Sequence, residues 1–489
     1  MLLNILGFFI VLLEVEANAD GCDGVIGCLP EKYRRVFGGV PIRKKPLSRF
    51  NLGGKSGGVI FNATWIEPDS SFSYLSNRSS TDDVFKKLNA KNKMVVIIHG
   101  WQIANTPVKE MINGKLTETV QLGTWQNDLE KVLFEKHDEV NVVIVDWRAG
   151  ATVGYRGAMA NTWIVARETV VFLKAFINRG LALEDIHVLG HSLGAHVAGI
   201  IGNNLKLEFG KKIGRVSGLD PAAPSYDEVP GAFMIDTHNA ELVDVYHTDT
   251  KSRLWSNAGL PGQHGHADFY VNGGEDQPRC KKLKTISKQE LCDHFSVVDY
   301  FVQSVKSPTY AIRCGSFEEF IAGKCKSCGR RKCAVAGYNY QPFGNHKDGK
   351  FFYQTTEETK DKCAKSTVFE FKTFGAPESF AKQNNVSLEL KLVSNESKTR
   401  IIKDSSLLPT IFNSRRKTFS LVRPIPCGAD IFPLERIEIL LGDVQSARIS
   451  FPIRQIKIFT IEPRPYRAKF KRVSRKKNVP IVFRRPTDK

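Results

Sequence analysis

The sequence lacks an apolar run of membrane-spanning length, and it contains fewer acidic than basic residues. Its longest apolar stretch, Leu2 to Leu13, is broken by Asn4 and falls short of the ~20 residues that a transmembrane helix needs. No internal repeat is present, which excludes solenoid and other repeat architectures. The chain of 489 residues is also too long for one typical domain. We therefore expect a soluble, globular protein of more than one domain.

The first residues have the features of a secretory signal peptide. The apolar stretch is followed by Ala-Asn-Ala at 17–19, a small-x-small cleavage site, although Glu14 and Glu16 precede it and no Lys or Arg opens the segment. Residues 1–19 are predicted to be removed, so the mature protein would begin at Asp20 and be extracellular.

Cysteines and glycosylation sequons agree with an oxidising, extracellular compartment. Most of the ten cysteines have a close neighbour in sequence, whereas the pairing of Cys363 and Cys427 stays open. Cys325 and Cys328 form a C-x-x-C, so a zinc site competes with disulfides there. The sequons, which predict exposed loops, begin at Asn62, Asn77, Asn385 and Asn395.

Residues 190–194, Gly-His-Ser-Leu-Gly, form the most informative motif. The apolar segment 185–189, a predicted strand, precedes it, and the small residues of 195–202, a predicted helix, follow it. G-x-S-x-G between a strand and a helix is a nucleophile elbow, in which a tight turn exposes the serine hydroxyl. Ser192 is therefore the predicted nucleophile, and a glycine-rich turn without chemistry is the alternative.

A serine nucleophile needs a histidine base and an acid that orients the histidine. Asp220 ends the apolar segment 215–219, which places it at the carboxyl end of a strand, where open α/β sheets form their sites. A turn role competes, since Asp-Pro is common in turns. Spacing leaves the base open among the histidines that follow: His238, His247, His264, His266, His294 and His346.

These motifs resemble the pancreatic lipase family of secreted animal lipases over residues 20–465. The resemblance rests on the elbow, on Gly-Leu-Asp-Pro-Ala at 218–222, and on further motifs in the family's order. The further motifs are Ile-Ile-His-Gly-Trp at 97–101, Val-Ile-Val-Asp-Trp at 143–147, Val-Asp-Val-Tyr-His-Thr-Asp at 243–249, Gly-His-Ala-Asp-Phe at 265–269 with Asn-Gly-Gly at 272–274, and Cys-Asp-His-Phe-Ser at 292–296.

The resemblance implies a serine esterase with defined site residues. Ser192, Asp220 and His294 correspond to the family's catalytic triad, and the backbone amides of Trp101 and Leu193 correspond to its oxyanion hole. His294 would take the proton as Ser192 attacks an ester carbonyl, and water would later release the fatty acid from the acyl-enzyme. The ring of Trp101 has a structural alternative, because a tryptophan after a strand usually belongs to a core.

The resemblance also bears on disulfides, calcium and partners. It pairs Cys22 with Cys28, Cys280 with Cys292, Cys314 with Cys325, and Cys328 with Cys333. The family's structural calcium corresponds to a segment where Asp236 and Asn239 offer oxygen ligands, but Gly231 and Met234 offer no side-chain oxygen. The chemistry itself requires no cofactor. Whether a colipase-like partner binds is unknown from the sequence.

Apolar patterning divides the chain into an α/β part and an all-β part. Short apolar strands alternate with amphipathic segments through about residue 345, which predicts a mostly parallel sheet covered by helices. Short strands without helices follow, which predicts a β-sandwich similar to the PLAT domain of the family. The predicted organisation is a signal peptide (1–19), an α/β-hydrolase domain (20–345), a PLAT-like β-sandwich (350–463) and a basic C-terminal tail (464–489).

The charge is strongly positive and concentrates near the C-terminus. Lys and Arg number 70 against 51 acidic residues, a formal charge of +19. The densest run follows Arg464, and a second basic cluster occupies 414–417. Such clusters favour polyanions, which for a secreted protein means heparan sulfate or anionic phospholipid rather than nucleic acid. A solvated, disordered tail is the competing interpretation.

Two covering segments give opposing indications about the substrate. The lid between Cys280 and Cys292 is short, as in the phospholipase A1 members of the family, and its four lysines would attract an anionic head group. The loop from Thr250 to His264 keeps nearly the length of the triglyceride lipases. The prediction is a triacylglycerol lipase acting at lipid surfaces. Phospholipase A1 is the first alternative, and a non-catalytic lipid-binding or storage protein is the second.

Overall fold

The computed structural model describes residues 48–56, 59–66, 88–101, 108–112, 115–120, 125–226, 229, 231–251, 258–326, 328, 332–341, 349–356, 364–373, 387–394, 399–404, 418–426, 433–442, 453–462, 466–472 and 481–484. The chain forms two compact units, one within 1–306 and 344–349, the other within 307–343 and 350–489. The predictions that lie outside the described residues concern the signal peptide, Cys22, Cys28, Cys363, Cys427, and the sequons at Asn77, Asn385 and Asn395.

The first unit contains a sheet, a hairpin and helices. Its strands are β1 (Arg49–Ser56), β2 (Val59–Ile66), β3 (Lys93–Ile98), β4 (Val108–Ile112), β5 (Lys115–Val120), β6 (Val140–Asp146), β7 (Ile186–His191), β8 (Ile213–Leu219), β9 (Ala240–His247) and β10 (Ala267–Val271). Its α-helices are α1 (Trp125–Lys136), α2 (Arg148–Ala151), α3 (Tyr155–Ile177), α4 (Leu193–Phe209) and α5 (Ile286–Lys306).

All of these strands except the β4-β5 hairpin join one sheet in the order β10-β9-β8-β7-β3-β6-β1-β2. The run from β10 to β6 is parallel, and β1 and β2 add an antiparallel pair. The predicted α/β class is confirmed. The strand order reverses at β3, since β6 lies on one side of it and β7 on the other. The carboxyl ends of strands beside such a reversal form the crevice in which open α/β sheets bind ligands.

Continuous apolar strands and small-residue helices explain this packing. Every residue of β6 is buried, because a parallel strand has a covering layer on each face. In α4, Gly199 and Gly202 permit close approach to a loop: a Cβ on either glycine would lie within 2.6 Å of the carbonyl oxygen of Met234 or Asn239. The predicted amphipathic helix over 161–178 is α3, which begins earlier, at Tyr155.

The second unit is an all-β region with one short helix. Its elements are β11 (Thr309–Arg313), α6 (Phe317–Ile321), β12 (Cys333–Ala336), β13 (Lys350–Tyr353), β14 (Ala364–Thr373), β15 (Ser387–Ser394), β16 (Thr399–Asp404), β17 (Thr418–Pro426), β18 (Leu434–Gly442), β19 (Ile453–Thr460), β20 (Arg467–Arg472) and β21 (Ile481–Arg484). The last eight strands form one antiparallel sheet in the order β16-β15-β18-β21-β20-β19-β14-β17. This sheet confirms the predicted C-terminal β domain.

Two strands of this sheet lie in the stretch that the sequence assigned to a basic tail. β20 pairs with β19 along its length, and β21 pairs with β18. The placement of the whole stretch 464–489 outside the β domain is therefore wrong. Lys and Arg alternate in β20 with Ala468 and the fully buried Phe470, a period of two that hides a strand beneath a high charge.

The described residues bear on two further predictions, the lack of a membrane-spanning helix and the position of the first glycosylation sequon. Among the described helices, none is long and apolar enough to cross a membrane. Asn62 lies in β2, at the edge of the first sheet, rather than in a loop.

Candidate active site

The predicted site residues meet because they follow neighbouring strands at the same edge of the sheet. Trp101 comes shortly after β3, Ser192 directly after β7, and Asp220 directly after β8. The registers of these strands are level, since Ile98 lies opposite Gly190, and His191 opposite Leu219. Parallel pairing therefore brings three distant segments of the chain to one crevice.

The elbow around Ser192 is held by backbone contacts. A Cβ on Gly190 would lie 2.0 Å from the carbonyl oxygen of Gly194, and one on Gly194 would lie 2.5 Å from the carbonyl oxygen of His99. Ser192 has φ 56° and ψ −124°, a conformation that non-glycine residues rarely adopt. Its amide donates to the carbonyl of Leu219 at 3.0 Å, which ties the elbow to the end of β8.

Asp220 is a fully buried carboxylate with donors on both oxygens. Oδ1 accepts from the amides of Thr248 (2.7 Å) and Asp249 (3.2 Å), and Oδ2 lies 2.6 Å from Nδ1 of His294. Asp220 also has positive φ, 43°. Gly259 packs on it, since a Cβ there would lie 2.5 Å from Oδ1. This environment keeps the acid dry and aims one oxygen at the histidine ring.

His294 lies in α5, two residues after Cys292, whose disulfide to Cys280 anchors the helix start. The neighbouring Asp293 carboxylate accepts from the amide of Gln277 at 2.7 Å, a second anchor. The carbonyl of His294 lies 3.0 Å from Nε2 of His191 in the elbow. The segment that carries His294 is therefore joined both to the acid and to the nucleophile's turn.

The other candidate bases have different partners where the structure describes them. His247 contacts Asp268 at 2.9 Å in a fully buried pair, and His238 contacts Asp236 at the surface. His264 Nε2 lies 2.9 Å from the Pro261 carbonyl, and His266 Nδ1 accepts from the amide of Val243 at 2.9 Å. His346 lies outside the described residues. Only His294 among the described candidates contacts Asp220.

His191 and Asp249 are site residues that the sequence reasoning did not identify. Burial, followed by the nearby His294, holds the pKa of His191 well below its usual value, so the neutral ring donates from Nε2. Burial, followed by Asp220, raises the pKa of Asp249 to about 9, so this carboxyl is protonated at neutral pH. Both residues stand in motifs that the sequence shows: His191 is the variable position before the serine in G-x-S-x-G, and Asp249 is the last residue of His-Thr-Asp. These motifs are the sequence signal by which both could have been placed near the site.

The proposed oxyanion donors flank Ser192. Leu193 opens α4, where free amides and the helix dipole favour negative charge. On the other side, a Cβ on Gly100 would lie 2.7 Å from Cβ of Ser192, so the loop before Trp101 touches the nucleophile. The Trp101 ring donates from Nε1 to the carbonyl of Val153 at 2.8 Å and packs edge-on against Tyr155. The ring is thus structural, and only the backbone amide of Trp101 is available to the site.

The short lid between Cys280 and Cys292 is partly helical. Its second half, from Ile286, is the beginning of α5, and the helix continues through His294. Before it, Leu283 is buried against Cys280, Cys292 and Phe295, while Lys281, Lys282 and Lys284 are exposed. The short length explains this arrangement, because a segment closed by a disulfide at its base has too few residues to form a separate flap.

The second covering loop is anchored at both ends. The amide of Thr250 donates to the carbonyl of Gly274 at 2.7 Å, and the amide of Gly259 donates to the carbonyl of Asp249 at 2.9 Å. The amide of Leu260 donates to the carbonyl of Pro221 at 2.6 Å, directly after the acid. Residues 252–257 lie outside the described part.

The cysteines of the C-x-x-C are in two different disulfides. The structure contains the bonds Cys280–Cys292, Cys314–Cys325 and Cys328–Cys333, which join cysteines that the family resemblance pairs. The one described cluster with metal-ligand spacing, Cys314, Glu319 and Cys325, includes both cysteines of a disulfide. Zinc is therefore excluded at the C-x-x-C.

One side-chain oxygen of each residue suggested for calcium already accepts a hydrogen bond within its own turn. Oδ1 of Asn239 accepts from the amide of Asp236 at 2.5 Å, and Oδ1 of Asp236 accepts from the amide of His238 at 2.9 Å. The ammonium group of Lys212 donates to the carbonyls of Thr237 and Ala240, at 3.3 Å each. A calcium ion is bound by six to eight oxygens, so an ion here would have to share or displace these hydrogen bonds.

Comparisons with known proteins identify the family to which this chain is similar. A family model described as Lipase matches residues 64–360, a range that contains every segment of the site. The chain is 36% identical over 353 residues to pancreatic lipase-related protein 2 of Homo sapiens, covering 68% of this chain and 69% of that protein. It is 29% identical over 307 residues to lipoprotein lipase of Gallus gallus, covering 60% of this chain and 59% of that protein.

Proposed function

This chain belongs to the pancreatic lipase family of carboxylic ester hydrolases, and we propose that it is a secreted lipase that cleaves acylglycerol esters with Ser192, His294 and Asp220. The observation that carries the proposal is the 2.6 Å contact between Nδ1 of His294 and Oδ2 of Asp220. This contact lies beside an elbow whose serine has positive φ. The relatives named above support a lipase as the general activity.

The proposed mechanism begins with the histidine. Nδ1–H of His294 donates to Asp220, which leaves Nε2 free to take the proton of Ser192. Oδ1 of Asp220 accepts two backbone hydrogen bonds, which fix the carboxylate beside the ring so that it can stabilise the imidazolium that forms. Ser192 attacks the ester carbonyl, the alcohol leaves with the proton from His294, and water activated by His294 releases the fatty acid. No cofactor takes part in these steps.

The amides of Trp101 and Leu193 would bind the oxyanion that develops in the attack. Each donor of this kind contributes ~3 kcal/mol to transition-state stabilisation. Support comes from their placement on the two sides of the elbow, at the end of β3 and at the start of α4. The deep burial of Asp220 strengthens the electrostatics of the site, because little water screens it.

Acylglycerols are the proposed substrates, and phospholipids are the second candidate. The retained loop from Thr250 to His264 favours acylglycerols. The exposed Lys281, Lys282 and Lys284 favour a phosphate-bearing head group, since an ion pair at a surface is worth up to ~1 kcal/mol. A lid that is continuous with the helix of His294 cannot swing aside without unwinding that helix. We therefore expect little activation at an oil–water interface.

Fatty-acid release from two lipids tests the substrate. The purified mature protein would be assayed on emulsified triolein and on phosphatidylcholine or phosphatidylserine vesicles, with Ser192→Ala as the inactive control. Release mainly from triolein supports the acylglycerol proposal, and release mainly from vesicles moves the assignment to phospholipase A1. A labelled fluorophosphonate that fails to react with the wild type would contradict a serine hydrolase altogether and favour a non-catalytic lipid-binding protein.

We also propose that the β domain binds anionic groups, either the sulfates of heparan sulfate or the phosphates of anionic phospholipid. Support comes from exposed cations in directly opposite positions on neighbouring strands: Lys471 lies opposite Arg484, and Lys469 lies opposite Lys457, which also pairs with Glu370 at 3.1 Å. Like charges in directly opposite positions destabilise a sheet, and a bound polyanion would relieve that repulsion.

Charge reversal tests this surface. The double variant Lys469→Glu with Lys471→Glu should elute from heparin–agarose at lower salt than the wild type if the surface binds the glycan. If the surface binds the lipid, less of the variant should co-sediment with phosphatidylserine vesicles. The matched control is Lys131→Glu with Lys136→Glu, two exposed positions of α1. An equal loss of binding in both double variants would mean that net charge, and not this surface, determines binding.

A further inference from the structure

We propose that His99 is a positioning residue that fixes the oxyanion-binding amide of Trp101. The inference rests on the serine-hydrolase function proposed above and adds to it a residue outside the triad. His99 is 4% exposed and lies between β3 and Trp101. It has no contact with Asp220 and no role in proton transfer, yet both of its ring nitrogens are engaged.

The hydrogen bonds of His99 define its tautomer. The backbone amide of Trp147 donates to Nε2 at 3.0 Å, so Nε2 is an acceptor and the ring proton is on Nδ1. Nδ1–H then donates to the carbonyl of Gly100 at 2.8 Å. Asp146 lies 3.6 Å from Nε2, too far for a hydrogen bond, and does not displace the Trp147 amide.

The bond to Gly100 determines where the next amide points. In a trans peptide the C=O of one residue and the N–H of the next point in opposite directions. A donor that holds the Gly100 carbonyl on one side of the plane therefore holds the Trp101 N–H on the other side. Because Gly100 lies against Ser192, with only 2.7 Å between a Cβ placed there and Cβ of Ser192, this peptide borders the reacting hydroxyl.

The preceding peptide is held in the same way from β6. Nε1 of Trp147 donates to the carbonyl of His99 at 2.7 Å, and its ring stacks on the His99 ring with centroids 5.4 Å apart. Asp146, which precedes Trp147, accepts a hydrogen bond from Nε of Arg49 at 2.7 Å and another from Nε of Arg148 at 2.9 Å. The frame of His99 and Trp147 is thus anchored to the end of β6 by partly buried polar contacts.

A preformed donor lowers the barrier because it does not reorganise during the reaction. Without His99 the Gly100–Trp101 peptide could rotate, and its amide would spend part of its time directed away from the oxyanion. Substrate binding would change little, since the ground-state carbonyl carries little charge. The expected signature is a fall in kcat at constant KM.

The test uses the full-length chain, a soluble p-nitrophenyl ester and an alkyl boronic acid that forms a tetrahedral adduct with the serine. His99→Leu removes both ring contacts and should lower kcat about 100-fold, the effect of losing one oxyanion donor. KM should stay within about twofold, and the Ki of the boronic acid should rise in parallel with the fall in kcat/KM. His137→Leu, at a half-buried position after α1 and thus near the opposite edge of the sheet, is the matched control.

Two polar variants keep the test decisive if His99→Leu fails to fold. His99→Asn keeps an N–H near the position of Nδ1, whereas His99→Gln keeps only an acceptor near Nε2. We expect the Asn variant to be about tenfold more active than the Gln variant. Equal kcat in these two variants, or a fall in kcat without a rise in the boronic acid Ki, would overturn the role of His99. An inactive wild type that does not react with a fluorophosphonate would instead overturn the hydrolase function itself.

Discussion

The two amides proposed as oxyanion donors are held in place by different physical means. The elbow that carries the Leu193 amide is fixed by contacts in which a single Cβ would lie 2.0–2.5 Å from neighbouring backbone atoms. The peptide that carries the Trp101 amide is fixed by hydrogen bonds from His99 and Trp147. Steric contacts cannot adjust without moving the backbone, whereas hydrogen bonds can be replaced by others. We therefore expect an abrupt response on the elbow side and a graded response on the loop side.

Gly190→Ala should produce the largest effect. The added methyl group would collide with the carbonyl of Gly194, so the elbow would have to open, at a cost of ~3 kcal/mol in the free energy of unfolding. Ester hydrolysis should be lost as well. Urea denaturation and hydrolysis of a soluble ester measure both. Gly154→Ala is the control, since a Cβ there meets nothing within 4 Å. Retained activity in Gly190→Ala would show that the elbow is not sterically locked.

Trp147→Phe should have an intermediate effect on the loop side. It removes the 2.7 Å bond to the carbonyl of His99 but keeps the backbone amide that donates to Nε2. We expect a loss of ~2 kcal/mol in stability from the unsatisfied carbonyl and the smaller ring, with a several-fold lower kcat. Trp163→Phe, at a partly buried position of α3, makes the same chemical change away from the loop. An unchanged kcat in Trp147→Phe would mean that the hydrogen bond from Trp147 to the carbonyl of His99 does not affect catalysis.

The sequence predicted the elbow side far better than the loop side. The two glycines around Ser192 are needed because the turn leaves no room for side chains there. This requirement is local, so five residues are enough to predict the turn. His99 and Trp147 are 48 residues apart and meet only because β3 and β6 are neighbours in the sheet. The same limit applied to the base: spacing alone left six histidines open, and the family resemblance selected His294, which the structure places beside Asp220.

Strong local signals also misled the sequence reading. The alternation in β20 was hidden because a dense run of Lys and Arg is more typical of a tail than of a strand. Likewise the sequence analysis defined the lid only by its disulfide and its length, whereas its second half is helical: the amide of Gln289 donates to the carbonyl of Thr285 at 3.0 Å, directly before α5. The strand is decided by pairing with β19, whereas the helix is decided by its own hydrogen bonds and by continuity with the rest of α5.

Asp249→Asn should have a smaller effect that depends on pH. The folded-state pKa of Asp249 is about 9, above the ordinary 3.8, because of burial and of Asp220. The folded protein thus keeps a proton that the unfolded chain releases, and this contribution to stability is full below pH ~4 and declines as the pH rises towards 9. Asparagine does not titrate, so the variant should be ~1–2 kcal/mol more stable than the wild type at pH 8.

Urea denaturation between pH 5 and 8 measures that difference. Glu184→Gln, at an exposed position, removes a carboxylate without a burial cost and should keep the wild-type slope. Parallel slopes for Asp249→Asn and the wild type would mean that Asp249 is ionised and paired in the folded protein. That outcome would place a second negative charge beside Asp220.

Ser192→Gly should give the smallest change in the free energy of unfolding, and that change is a gain, although activity is lost. Backbone conformations like that of Ser192 cost 1–3 kcal/mol in non-glycine residues, and glycine removes that cost while losing more entropy on folding. A net stabilisation of ~1 kcal/mol with complete loss of hydrolysis is expected from urea denaturation. Ser225→Gly, another positive-φ serine, should gain less and stay active, because it is exposed and adopts φ 65° outside the elbow. Ser192→Ala keeps the strain and should match the wild type in stability. If Ser192→Gly were no more stable than Ser192→Ala, the packed glycines would hold the serine without strain, and the abrupt response of the elbow would come from close contacts alone.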